Sequence, residues 1–113
     1  MAVLPLTIMG RLEIHEGDVG TTFLADVEDE GQSVDISQAE VSFVFQKPDG
    51  TSVTRAGEFV TDGVDGQIRY VTQAGDLDQS GEWKLQLRTD FADLTSFSSD
   101  WKHFTVHPNL TEI

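Results

Sequence analysis

An all-β fold, an immunoglobulin-like antiparallel sandwich of about seven strands, is what this sequence predicts, on three observations. Apolar and polar residues alternate with a period of two along almost the whole chain. The apolar positions are filled largely by β-branched and aromatic side chains, and turn signatures separate the runs. Helical stripes at i, i+3 and i+4 of useful extent are missing.

Taken in order, residues 11–15 place Leu12 and Ile14 on one face, and residues 21–28 turn Phe23, Ala25 and Val27 inward against Thr22, Asp26 and Glu28. The acidic run 28–35 reads as a solvent loop. Residues 41–47 then set Val41, Phe43 and Phe45 on one face and Val44 on the other. At 47–51 the turn has a mechanism: Pro48 presets φ, Asp49 bonds its own backbone and Gly50 supplies a positive φ, so a hairpin to 52–55 follows. Residues 58–61 are expected to continue that sheet.

A second turn at 62–66 leads into 67–72, where Ile68 and Tyr70 share a face, and 75–81 turns the chain again. The clearest strand is 82–89, in which Trp83, Leu85 and Leu87 alternate with Lys84, Gln86 and Arg88. Residues 90–100 read as a hairpin loop. The last strand, 101–107, puts Phe104 and Val106 in the core and stops at Pro108, which has no N–H to give a ladder. The organisation expected is an apolar arm or edge strand at 1–10, a sandwich domain at 11–108 and a short tail at 109–113.

A chain of 113 residues is one domain, with no room for a second, catalytic one, and 38% apolar content can supply its core. Seven Lys and Arg against twenty Asp and Glu give a formal charge of −13, so phosphate backbones and anionic membranes would be repelled. Nucleic acid and membrane insertion are therefore not expected as partners. With no cysteine there is no disulfide, thiolate metal site or cysteine nucleophile. The apolar start is too short for a span and has no basic residue before Arg11, which makes it a poor signal peptide and predicts a soluble chain outside the general secretory route.

Twenty acids make chance carboxylate pairs unavoidable, and Asp49, Asp62, Asp65, Asp76 and Asp78 all fall in turns, where aspartate serves the backbone. The run from Asp76 to Gly81 imitates the opening of a calcium loop, but its twelfth position is Leu87 where a bidentate Glu is required. His103 and His107 would sit roughly 13 Å apart along a strand, too far to share a metal, and His15 has no spacing that joins either. All three are expected as exposed strand-end residues. No nucleophile elbow, dinucleotide loop or Walker loop exists, so no enzyme and no cofactor is expected.

Two binding candidates remain. Trp101, lying opposite Phe104 in parity, could form a glycan platform with Phe91 and Phe97, whereas Trp83 is expected to be buried. Val3, Leu4, Leu6, Ile8 and Met9 are either the edge strand of the sandwich or an arm that adds to a neighbour's sheet or groove; Leu110 and Ile113 of the tail could act likewise.

The segment 80–85 resembles the corner of immunoglobulin-like domains, with Trp83 in the tyrosine slot and Leu85 in the cysteine slot. A closer resemblance, over about residues 12–110, is to the immunoglobulin-like N-terminal domain of tailed-phage baseplate upper proteins. It is carried by the textures DIS at 35–37, VSFVFQKPDGT at 41–51, VTDGVDGQIRYVT at 60–72, GDLDQSGEWKLQ at 75–86 and FTVHPNL at 104–110. The resemblance implies a structural part of the virion that docks onto other virion proteins; synthesis in the bacterial cytoplasm and a homo-oligomer in the particle are further expectations. In that family a long C-terminal extension carries receptor-binding proteins. This sequence shows no such extension, so an adaptor of the baseplate or tail, or a decoration protein of the capsid or neck, is the expected role; a carbohydrate-binding module that grips host-surface glycans is the alternative.

Overall fold

The computed structural model describes residues 2–3, 6–9, 14–29, 31–98 and 101–109, the first two segments as backbone only. In chain order the strands are β1 (Ala2–Val3), β2 (Leu6–Met9), β3 (Ile14–His15), β4 (Thr22–Asp26), β5 (Glu28–Asp29), β6 (Gln32–Ser33) and β7 (Glu40–Gln46). They continue as β8 (Ser52–Ala56), β9 (Glu58–Phe59), β10 (Gln67–Val71), β11 (Gly81–Asp90), β12 (Ser96–Ser98) and β13 (Lys102–His107). A four-stranded sheet, β2-β4-β10-β9, faces a six-stranded one, β3-β13-β11-β7-β8, in which β12 also pairs with β11; β1, β5 and β6 form a small third sheet. Among the described residues all ladders are antiparallel except β3 with β13.

Alternation decides the packing. In β11 the residues Trp83, Leu85, Leu87 and Thr89 are buried, and they meet Phe104 of β13 and Phe45, Phe43 and Val41 of β7 in register. From the other sheet, Phe23 and Tyr70 stand opposite each other and reach across: Phe23 lies 5.3 Å from Phe45 and 5.1 Å from Phe104, ring centre to ring centre. Such edge-on and tilted pairs add to the stabilisation that burial alone supplies.

The strands expected at 21–28, 41–47, 52–55, 67–72, 82–89 and 101–107 are present as β4, β7, β8, β10, β11 and β13. Three expectations need correction. Residues 58–61 do not continue the sheet of β8: the chain crosses at Gly57, and β9 pairs instead with β10 of the facing sheet. The crossing needs a residue without a side chain, since a Cβ on Gly57 would come within 2.7 Å of Ile68 Cγ1 and 3.0 Å of Phe43 Cε1. The acidic run 28–35 is not all loop, because β5 and β6 make a short hairpin from it. Residues 90–100 likewise re-enter the sheet, β12 pairing with the end of β11.

Within the apolar start, the backbone of β2 pairs with β4 from Leu6↔Ala25 to Met9↔Thr22. Val3 is in β1, paired with Glu28. Leu4, Leu12, Leu110 and Ile113 lie outside the described residues.

Candidate functional site

The aspartates serve turns. Asp35, Asp49, Asp62, Asp65 and Asp93 each accept the backbone N–H of the residue two further on, at 2.9–3.0 Å. The Thr51 hydroxyl, then the Thr51 N–H and the Gln79 amide, pull Asp49 down to about 2. Asp35, Asp65 and Asp93 are lowered likewise by hydrogen bonds from their turns, and carboxylates held ionised in this way are poorly suited to proton transfer near neutrality.

Asp76 and Asp78 do more than turn the chain. Burial raises the Asp76 carboxyl, but hydrogen bonds from the Tyr70 hydroxyl and the Gln73 N–H, with the Arg55 guanidinium 3.4 Å away, outweigh it and leave the group below its usual range. Asp78 pairs with Lys47 at 3.0 Å, whose ammonium also lies 6.0 Å from the centre of the Trp83 ring. The calcium-loop imitation is thus committed to neighbouring cations. Among the described residues no group of three or more His, Cys, Asp or Glu could hold a metal ion.

Lys47, Arg55, Tyr70 and Asp76 belong to a shallow, narrow cleft between β8 and β10. Phe45, Val53, Leu77 and Trp83 give it an apolar floor, and Lys47, Arg55, Tyr70, Thr72 and Asp76 a polar rim. Sequence reasoning missed it because Leu77 sits in a run read only as a turn, yet is 2% exposed. Burial, then the hydrogen bond to Asp76, pushes the Tyr70 phenol up to about 12. As Tyr70 is the single tyrosine, tyrosinate absorbance should show a midpoint near 12, and Asp76→Asn should move it toward the usual value of about 10. The sign for stability follows: an unfolded chain ionises its tyrosine first, so this contribution is intact below pH 10 and is lost as pH rises toward 12. A wild-type midpoint at the ordinary phenol value would contradict the network.

The histidines correct the expectation made for them. His103 is exposed, but His15 and His107 are half-buried and adjacent, ring centres 5.7 Å apart, because parallel pairing of β3 with β13 sets them side by side. Two strands distant in sequence make that pair, so spacing along the chain could not reveal it.

Trp83 is buried as expected, and its indole N–H donates to the Gln79 carbonyl at 3.0 Å, four residues upstream, as a corner tyrosine would do in an immunoglobulin-like domain. Trp101 is 47% exposed, with the Lys84 ammonium 5.7 Å from its ring centre. Lys84 belongs to the outward set of β11, whereas Phe97 pairs with the inward Thr89 and packs edge-on against Phe91, which itself lies against the core. The three aromatics therefore do not form one platform: Trp101 is with the outward residues and the phenylalanine pair with the inward ones.

One turn is built twice. At 47–51 and again at 91–95 the first residue donates its N–H to the fifth residue's carbonyl (2.8 Å in both), and the fourth donates back to the first (2.9 and 3.0 Å). In both, an aspartate at the third position holds the threonine at the fifth. The fourth position is left-handed: Gly50 (φ +90) fills it in one turn and Leu94 (φ 71) in the other. Leu94 is the only non-glycine with positive φ among the described residues, and it is 94% exposed. A left-handed leucine costs roughly 1–2 kcal/mol that glycine would not. The repeated Asp-x-Thr at 49–51 and 93–95 is the sequence signal that could have found it.

The fold and its surface define an immunoglobulin-like antiparallel sandwich in which the turn aspartates Asp35, Asp49, Asp62, Asp65 and Asp93 bond their own backbone and Asp76 and Asp78 pair with cations. A sequence profile of the BppU N-terminal domain, the N-terminal domain of phage baseplate upper proteins, matches residues 7–111, and the chain belongs to that family. It is a family of phage baseplate structural domains, not of enzymes. That membership implies location in the virion and contact with other virion proteins. A search of curated proteins gave no match. Among solved structures, the crystal structure of CopC from Methylosinus trichosporium OB3b is similar at a TM-score of 0.59, with 13% identity and 100% of both chains covered, a likeness of fold alone. Among the described residues no helix is long and apolar enough to cross a membrane.

Proposed function

We propose that the protein is a non-enzymatic adaptor of the phage baseplate or tail, made in the host cytoplasm and joined to neighbouring virion subunits by surface contacts. The observation that carries this reading is the family match over 7–111, across nearly the whole chain. The chemistry supports it: the aspartates are held by their own turns or by cations, which favours rigidity over proton transfer. Attachment is proposed to use the first strands, since β2 is the edge of its sheet and an edge strand can accept a neighbour's strand.

Purified particles labelled with gold-conjugated antibody against the recombinant protein should carry label at the baseplate or tail tip. Label confined to the capsid or neck would make this a decoration protein. Unlabelled particles, with the protein free in the lysate, would overturn the virion role.

A further inference from the structure

At the edge of the six-stranded sheet, β3 and β13 lie side by side in a ladder two residues long, Ile14↔Val106 and His15↔His107. Ile14 and Val106 are buried, so alternation turns both histidines to the outer face, where each is half-buried and still meets solvent. The backbone at His15 is closed from both sides: its N–H donates to Asp18 Oδ2 at 2.9 Å, and its carbonyl accepts the Asp18 N–H at 3.0 Å. At His107 the carbonyl accepts the Glu16 N–H at 2.8 Å. Two imidazoles are thus delivered to one place by main chain that has little freedom to separate them.

Their spacing suits a chelate. An ion held at about 2.0–2.1 Å by one nitrogen of each ring, at a tetrahedral angle, sets the ring centres about 5.2 Å apart, whereas the right angle of a square-planar ion requires about 4.5 Å. The observed 5.7 Å is within about half an ångström of the tetrahedral value, a gap that a small side-chain rotation closes. The 40° between the ring planes is compatible, because each ring can turn about its own metal–nitrogen bond. A chain charge of −13 also raises the concentration of divalent cations at the surface.

We propose that His15 and His107 together bind one divalent transition ion of tetrahedral preference, of which zinc is the type, with water in the two remaining positions. The ion takes the neutral rings and displaces any proton or hydrogen bond from the nitrogens that coordinate it. With two protein ligands the site is weaker and more exchangeable than a four-ligand structural one. It fastens β3 to the sheet at the one ladder that β3 makes among the described residues, and it joins segments near the two ends of a chain that has no cysteine to do so. The site belongs to the purified chain and does not depend on where the protein sits in a particle.

The chain has three histidines, so zinc added to tag-free protein can be followed through their imidazole NMR signals. Two sets should shift together while the third stays, and His103→Gln should delete the unmoved set and leave the affinity unchanged. His15→Gln and His107→Gln should each weaken zinc by roughly tenfold or more, since loss of even an outer partner of a metal ligand costs 10–100-fold. Cobalt(II) in place of zinc should give the intense visible bands of a four-coordinate ion. Zinc at about ten times its Kd should raise the melting temperature of the wild type by roughly 5 °C and leave His15→Gln where it was. If circular dichroism shows a variant to be misfolded, the wild-type NMR titration decides alone. Imidazole signals unmoved at about 1 mM zinc, a His103 signal that shifts with the others, or folded His15→Gln and His107→Gln chains that bind zinc as the wild type does, which would mark adventitious binding to carboxylates, would each overturn the proposal.

Discussion

Trp83→Ala is expected to destabilise the fold by about 3–5 kcal/mol, the range for emptying an aromatic site in a packed core. Trp83 is 1% exposed, stacks on Phe104 at 5.7 Å between ring centres and meets Phe45 edge-on at 6.4 Å. Its loss also leaves the Gln79 carbonyl without the indole N–H and removes the ring beneath Lys47. Urea unfolding followed by circular dichroism measures the cost. A loss below about 1 kcal/mol would mean that this ring is not the keystone that its contacts describe, because surface substitutions lie in that range.

Gly66→Ala is the second large effect, at about 2–4 kcal/mol, from left-handed strain together with overpacking against atoms that cannot yield. At φ +76 a side chain is already disfavoured, and a Cβ there would lie 2.6 Å from the Val27 carbonyl oxygen and 3.0 Å from that of Val34. Both are main-chain atoms beside the core. Gly66 also accepts the Val27 N–H at 2.8 Å, so relief by backbone movement would break a hydrogen bond. Alanine at Gly75, also left-handed but with nothing within 4 Å of its Cβ, is the internal comparison and should cost only the strain. Equal melting temperatures for the two variants would contradict the steric account.

These expectations bear on how a baseplate-family domain of this size stays folded without disulfides. Burial of aromatic rings from both sheets supplies the cohesion, and aspartate-capped turns fix the connections between strands. The acidic exterior is locally balanced at the rim of the cleft, where Lys47 and Arg55 answer Asp78 and Asp76.

The sequence by itself determined the local facts. The period of two in 82–89 specified which side chains of β11 are inward, and the Pro-Asp-Gly signature specified the hairpin between β7 and β8; both depend on residues near in the chain. Tertiary structure alone decided the rest. The crossing at Gly57 follows from what Ile68 and Phe43 leave no room for, the His15–His107 contact from a parallel pairing of chain ends, and the cleft from Leu77 folding under Arg55 and Tyr70. Trp101 was legible as outward by parity, but its separation from Phe91 and Phe97 depended on how β12 registers on β11. The physical reason is the same in each case: alternation and turn chemistry act between neighbours in sequence, whereas register, sheet crossing and the meeting of distant strands are set by packing that no local pattern encodes.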